Sequence, residues 1–350
     1  GPRTNIQITG GEPTLRRAED LEAITRHIRG LGMRSALFTN GIRARRPLLE
    51  RLAKAGLNDV CFHVDLTQEI KGHASESSLN RVRDFCLANA DGFGLRVNFN
   101  TTVFDGNVAE IPMLVRWFTA HAGRINLASF QMQADTGRGV LGARDEGQIT
   151  QDSLMRAIRN ATGGAADFGV FQIGHPSCNR HASILTAGGR TAPLYADTAL
   201  FREMFQRVAG RTDDWNRDRD VVRACLAACL NRPGLVLRAL RAAWRSFWPL
   251  APALLRGRRP HRLSFFIHNF MAEDAIDRER CEACVFTVMT PRGPISMCAH
   301  NADRDHFLTG GLSKTALAQR KTALAFKQLK GRLRAQARAK ATAGERRTAS

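Results

Sequence analysis

Five short apolar runs, alternating with amphipathic stretches and separated by turn residues, constrain this chain more than any other feature. The runs are Asn5–Thr9, Ser35–Phe38, Val60–Val64, Leu95–Asn100 and Ile125–Phe130. Between them lie helical patterns at Leu15–Leu31, Arg46–Ala55, Ser77–Ala90 and Val108–Ala120, bounded by Gly, Asn or Asp. Strands joined through helices of this length imply a parallel sheet, whose chemistry sits just after each strand. The ends are polar or glycine: Thr9-Gly10-Gly11-Glu12, Thr39-Asn40-Gly41, His63 and Asp65, Asn98 and Asn100, then Gln131 and Gln133. Any single polar loop residue is unremarkable, but five consecutive strands ending this way point to a site.

The chain has 350 residues, 43% apolar and 24% charged, the make-up of an ordinary folded protein long enough for one large α/β domain with appendages. Its net charge of +20 is localised. Residues 231–262 carry eight Arg and no acid, and residues 314–350 carry eleven Lys or Arg against Glu345 alone. The body is therefore close to neutral, and attraction to polyanions or membranes belongs to the appendages. The longest apolar run, Phe247 to Leu255, is far short of the ~20 residues of a membrane span. No secretory leader pattern is visible, so a cytoplasmic location is expected, with peripheral membrane contact as the alternative. In that compartment eight Cys read as metal ligands, catalysts or buried thiols before disulfides.

The expected organisation is a barrel-like core over 1–140 and a continuation and linker over 141–217. Helices are predicted near 150–160 and 197–208, with a loop at His175-Pro176-Ser177-Cys178. A basic amphipathic helical insertion follows at 218–262, interrupted by Pro233, Pro249 and Pro252, then a Cys-rich segment at 263–310. The basic tail, 311–350, reads as disordered or loosely helical. It has only Phe326 as an aromatic, so nucleic acid is not an expected partner. No repeat at solenoid periods is found.

Two turns carry the chemistry. Ile8-Thr9-Gly10-Gly11-Glu12-Pro13-Thr14 follows one strand, and Leu37-Phe38-Thr39-Asn40-Gly41 follows the next. Paired glycines let a backbone approach a ligand, and exposed carbonyls with Glu12 form an acceptor-rich patch suited to an ammonium group. Together the turns resemble the radical S-adenosylmethionine (radical SAM) superfamily over residues 1 to about 135. The resemblance implies that Gly10, Gly11, Glu12, Pro13, Thr39 and Asn40 bind S-adenosylmethionine, the first turn holding its amino group. By strand order, Asp65, Asn98 and Asn100 would lie near the ribose and methionyl carboxylate. The family's Cys-x-x-x-Cys-x-x-Cys loop, which ligates the catalytic [4Fe–4S] cluster, is absent. The chain, opening at Gly1 almost directly on a strand, therefore reads as a fragment inactive by itself, and no catalytic residue can be named.

Cys281 and Cys284 are spaced to direct two thiolates at one metal, and Cys298 adds a third across the Pro291-Arg292-Gly293 turn. Cys178 is the fourth candidate ligand. The spacing is compatible with zinc; the resemblance favours an auxiliary [4Fe–4S] cluster. Cys61, Cys86, Cys225 and Cys229 read as structural thiols. His175, His268 and His300 read as packing or hydrogen-bonding residues, not ligands.

The stretches Phe171–Cys178, Ile267–Met271 and Met297–Asn301 are similar, more patchily, to archaeal tetraether lipid synthases and the related proteins described as pterin methyltransferases. Separately, Arg238, Arg241 and Arg245 recur beside Leu237, Leu240, Trp244, Phe247 and Trp248. That is a helix able to lie in a membrane interface or to pack its apolar face inward with Arg outward.

The resulting expectation is an α/β protein: a partial (β/α)6 radical SAM barrel lacking its first strand and cluster loop, with an α-rich C-terminal cluster-binding extension. The resemblance implies reductive cleavage of S-adenosylmethionine to methionine and a 5′-deoxyadenosyl radical that abstracts hydrogen from an unactivated carbon. The expected substrate is a lipid or other hydrophobic molecule, with methyl transfer to a small molecule as the alternative, and the electron donor a ferredoxin or flavodoxin. A rival from another class is a non-catalytic metal- or nucleic-acid-binding relative that lost the first cluster.

Overall fold

In the computed structural model, the residues described are 5–136, 147–208, 223, 225–227, 232–290, 293–304 and 307. The five apolar runs form strands β1 (Asn5–Ile8), β2 (Arg34–Thr39), β3 (Asp59–His63), β4 (Arg96–Val103) and β5 (Leu127–Met132). They pair in parallel, in chain order. Helices α1 (Ala18–Gly30), α2 (Arg46–Ala55), α3 (Asn80–Ala90) and α4 (Ile111–Ala120) make the crossovers.

Three helices start later than their patterns suggest, two of them because side chains capture the preceding backbone. Glu12 caps a separate 3-10 turn, Pro13–Leu15, ahead of α1. Ser75 and Ser78 bond each other's backbone ahead of α3. A 3-10 turn, Val108–Glu110, leads into α4, where Pro112 stands in the first turn and gives up no hydrogen bond.

Alternation along the strands sends the two faces of the sheet to different fates. Leu37, Val60, Phe62, Val97, Phe99, Ala128 and Phe130 enter one buried core. Leu21, Leu49, Leu52, Leu87, Leu114 and Phe118 join it from the helices. Phe99 contacts Phe62 and Phe118, each at 5.7 Å between ring centres. The opposite face, read from the register, carries Cys61 beside Asn98, His63 beside Asn100, Asn100 beside Ser129, and Thr102 beside Gln131. One face is thus a core, and the other is a polar floor.

The sheet continues past β5 with strands from far along the chain. Its order is β1-β2-β3-β4-β5-β8-β6-β7, where β6 is Asn179–Ala187, β7 Arg190–Pro193 and β8 His261–Asn269. β6 is antiparallel to both β7 and β8. Among the described residues the sheet is open, with β1 and β7 at its edges, and no closed barrel forms. Helices α5 (Gln151–Ala161), α6 (Thr198–Val208), α7 (Pro233–Phe247) and α8 (Ala251–Leu254) follow the periodic patterns. Pro233, Pro249 and Pro252 stand in the first turns of α7, the 3-10 turn Trp248–Leu250 and α8, where a missing N–H costs nothing.

The chain divides into two compact units, the second comprising 133–146, 174–178 and 269–350. The described part of this unit holds an antiparallel hairpin, β9 (Thr287–Thr290) with β10 (Gly293–Ser296). Only two short helices accompany it, α9 (Arg278–Glu282) and α10 (Met297–Ala302). Residues expected as a basic tail, 311–350, and Cys229 lie outside the described residues.

Candidate functional site

The two glycine turns meet at the C-terminal ends of β1 and β2, and Glu12 joins them. Its Oε1 accepts from the Thr14 N–H (3.0 Å), the Thr14 hydroxyl (2.5 Å) and the Thr39 hydroxyl (2.7 Å), and its Oε2 from the Asn40 N–H (2.7 Å). Partial burial pushes this carboxyl up, but the Asn40 N–H with Thr14 and Thr39 more than offsets it, so the group sits below the ordinary carboxylate range. With four donors on two oxygens the carboxylate has little acceptor capacity left. Glu12 therefore staples the two turns together.

That backbone is open. Gly10 and Gly11 are exposed, and a Cβ built on either meets nothing within 4 Å. Gly10 has φ +134°, a conformation side chains rarely adopt, so glycine is needed there to turn the strand outward. Gly41 is the converse case. It has φ +81°, and a Cβ would lie 2.7 Å from Cys86 Sγ. Pro13 and Thr39 are buried beneath the turns, and Asn40 Oδ1 accepts the Ile42 N–H at 3.0 Å.

Asp65 repeats the Glu12 design two strands on. It is wholly buried, and it accepts from the Thr67 N–H (2.9 Å) and hydroxyl (2.5 Å), the Thr102 N–H (2.6 Å) and His63 Nε2 (2.8 Å). Burial pushes its carboxyl up; His63, Thr102 and Thr67 hold it below the ordinary range. The group that reaches the polar floor is the half-buried His63, which also lies 3.1 Å from Thr102 Oγ1. Asn98 accepts from Asn126 at 3.0 Å, and Asn100 donates to Gln131 at 3.4 Å, so both asparagines lie on that floor. Further along, His181 and His268 line the same face in register with Phe266 and Asn179, and His268 Nδ1 lies 3.1 Å from Asn179 Oδ1. Burial pulls the His181 imidazole down to about 4 and that of His268 to about 3, so both are neutral near pH 7.

Beneath the loops after β3 and β4 lies a network that the sequence patterns did not reveal. Arg83 and Glu76, both fully buried, form an ion pair. Arg83 also donates to the carbonyls of Val64 (2.8 Å) and Glu76 (2.7 Å), while Glu76 Oε1 accepts from Leu66 N–H (3.1 Å) and Asn107 Nδ2 (2.8 Å). An Arg on an apolar helix face was the available signal.

The four candidate ligand cysteines all fall in the second unit. Cys281 lies in α9, Cys284 just after it, Cys298 in α10 and Cys178 in the His-Pro-Ser-Cys loop. The Met271 N–H donates to Cys298 Sγ (3.5 Å), Arg280 Nε–H to Cys178 Sγ (3.2 Å), and the Cys284 thiol to the Phe286 carbonyl (2.9 Å). Burial pushes the Cys298 thiol up to about 11, with Cys284 and Cys178 near enough to add to the effect. N–H donors aimed at sulfur suit ligating thiolates. Among the described residues, however, no three His, Cys, Asp or Glu side chains are gathered as metal ligands. Cys61 and Cys86 are buried thiols, burial pushing Cys86 up to about 12. A cleft of about 770 Å³ lies at the other end of the sheet, by the residues that precede β5 and β8.

No protein-family model matches the chain. Curated relatives include the PqqA peptide cyclases of Xanthomonas axonopodis pv. citri, 33% identical over 130 residues, and Methylobacterium nodulans, 33% identical over 137. The matches take in 35% and 36% of this chain, which spans about a third of those relatives' length, 34% in each case. Two solved structures of Streptococcus suis SuiB, bound to precursor peptide SuiA and to S-adenosylmethionine, align at 19% and 20% identity with a TM-score of 0.34. Each covers 45% of this chain and 34% or 36% of its own, a likeness too slight to inform the fold. The relatives are named for a peptide, and nothing in them supports the lipid substrate expected above. Over about a third of its length, this chain is thus similar in sequence to the PqqA peptide cyclases, which supports its resemblance to the radical SAM superfamily.

Proposed function

We propose that this chain is part of a radical SAM enzyme that modifies a peptide, with S-adenosylmethionine seated on the Gly10-Gly11 turn. The single observation that carries the reading is the open shelf. Two exposed glycines follow β1, and a carboxylate that accepts four hydrogen bonds from its own neighbours holds them against the Thr39-Asn40 turn. A shelf held that way needs no rearrangement to receive a ligand, which keeps the ordering cost of binding low.

The carbonyls of the turn would accept from the ligand's ammonium group. The floor of His63, Asn98, Asn100 and Gln131 offers hydroxyl and carboxylate partners, and His63 keeps its orientation through Asp65. Bound S-adenosylmethionine, together with a reduced [4Fe–4S] cluster, supplies hydrogen abstraction from an unactivated carbon. Cys178, Cys281, Cys284 and Cys298, not gathered as a metal site among the described residues, would have to draw together to hold an auxiliary cluster. The likeness to enzymes named for a peptide is what favours a peptide over a lipid.

Equilibrium dialysis of the chain against labelled S-adenosylmethionine tests the shelf. Gly11→Val adds a side chain where a Cβ meets nothing, so the fold should survive while the shelf is filled. Saturable binding by the native chain and its loss in the variant, at unchanged thermal midpoint, is expected. Equal binding by both, or none by either, would discard the assignment. Anaerobic reconstitution gives the second arm: Cys281→Ser with Cys284→Ser should remove iron and sulfide from the chain, whereas zinc without sulfide would exclude the cluster.

A further inference from the structure

We propose that the segment 233–259 docks the protein on an anionic lipid bilayer. The observation is the way α7 is turned. Its inward side consists of Leu235 and Ala242, buried with Leu200 and Met204 of α6. Arg238 fixes that seat by pairing with Asp197 (3.1 Å) and Glu203 (3.3 Å). The helix therefore needs no other apolar face, yet it has one.

Leu237, Leu240, Trp244, Phe247 and Trp248 recur at intervals of three and four, which aligns them on one stripe. Leu237, Leu240 and the two Trp are 60–66% exposed, and Phe247 is 45% exposed. The Trp244 and Trp248 rings stack, their centres 4.5 Å apart, presenting one indole slab outward. Leu255, 88% exposed, continues the apolar surface past the end of α8. Packing on the body by this aromatic side, one of the two arrangements open to such a sequence, is thus not what the fold adopts.

Charge complementarity names the occupant. Arg241 and Arg245 border the stripe and are exposed, Arg245 lying near enough to Asp197 to help lower its pKa. One residue past Leu255 begins a cationic cleft of about 770 Å³, lined by Arg124, Arg190, Arg256, Arg258 and Arg259 with His121 and His261, and by no carboxylate. An aromatic and aliphatic stripe followed directly in the chain by the arginines of an acid-free cleft is the pattern of an interfacial segment on anionic headgroups. Nucleic acid would use the arginines but leave Leu237, Leu240, Phe247 and Leu255 without a role. No helix among the described residues is long and apolar enough to cross a membrane, so the contact lies in the interface plane. The inference is independent of the cofactor shelf.

Sedimentation of the whole chain with vesicles of equal parts phosphatidylcholine and phosphatidylglycerol tests it. Binding to these, but not to phosphatidylcholine alone, is expected. Replacing Trp244 and Trp248 together by Ser should weaken the affinity about tenfold or more, since each indole surrenders apolar burial. Both rings are exposed, so the variant should keep its circular dichroism and thermal midpoint. Arg256→Glu with Arg258→Glu should abolish the preference for anionic vesicles, a change that binding through residues 314–350 would not produce. Brominated lipid should quench tryptophan emission in the native chain more than in the Trp variant. Failure to pellet with mixed vesicles, unchanged affinity in the Trp variant, or tight binding to duplex DNA or RNA with none to vesicles would each overturn the proposal.

Discussion

Glu12 Oε2 accepts the backbone N–H of Asn40 at 2.7 Å, so the turn after β1 is hydrogen-bonded to the turn after β2 across 28 residues of chain. This carboxylate also accepts from Thr39 and Thr14, and its folded-state pKa lies below the ordinary carboxylate range. Glu12→Gln keeps one acceptor oxygen and turns an amide NH2, itself a donor, toward its former donors. It should lower stability by about 1–2 kcal/mol in urea unfolding and weaken S-adenosylmethionine binding in dialysis. The staple's contribution is present above the unfolded carboxyl pKa and is lost as pH falls through the lower folded value. In the variant, that acid-side loss should shrink.

Gly41 is a packing constraint as well as a turn residue. Gly41→Ala places a methyl 2.7 Å from Cys86 Sγ at a positive φ, and should cost about 2–4 kcal/mol. Adding Cys86→Ala relieves the clash without relieving the dihedral. The double variant should therefore lie above the sum of the single losses by about 1 kcal/mol in denaturant melts. Strict additivity would show that the two do not touch.

Arg83 and Glu76 form a pair with no exposed surface, bonded to the chain at Val64, Leu66 and Asn107. Arg83→Met leaves a buried carboxylate and should cost about 3–5 kcal/mol. Hydrogen exchange should quicken first at the loops after β3 and β4, because those are what the pair holds. Uniform loosening of the sheet would count against that role.

His181 and His268 are held neutral, with imidazole values near 4 and 3 against an unfolded value near 6.5. Between those limits the unfolded chain binds more protons, so stability is full above about pH 6.5 and falls as pH drops toward 4. Chemical unfolding at a series of pH values should show that slope, and His181→Gln should flatten it.

The expectations from sequence and the structure agree where a residue's own neighbours decide its conformation. The Arg46–Ala55 helix has the bounds its pattern implied, closed by Gly56 at φ +108°, and β1 to β5 follow the five apolar runs. They part where distant chain segments compete. That β8 joins the sheet next to β5 and carries the β6–β7 hairpin outward depends on Leu263, Phe265, Ala182 and Ile184 completing the core begun by β1 to β5. No local period encodes that pairing.

The candidate site divides the same way. The sequence by itself determined the strand ends and the glycines, because alternation and positive-φ turns are local demands. Only the tertiary structure decided that Glu12 and Asp65 face inward as staples, since their donors, Asn40 and Thr102, lie on neighbouring strands. It also decided which side of α7 faces solvent. The wheel of that helix offers two apolar faces, and the choice fell to Arg238 meeting Asp197 and Glu203, a contact made only once α6 and α7 are packed.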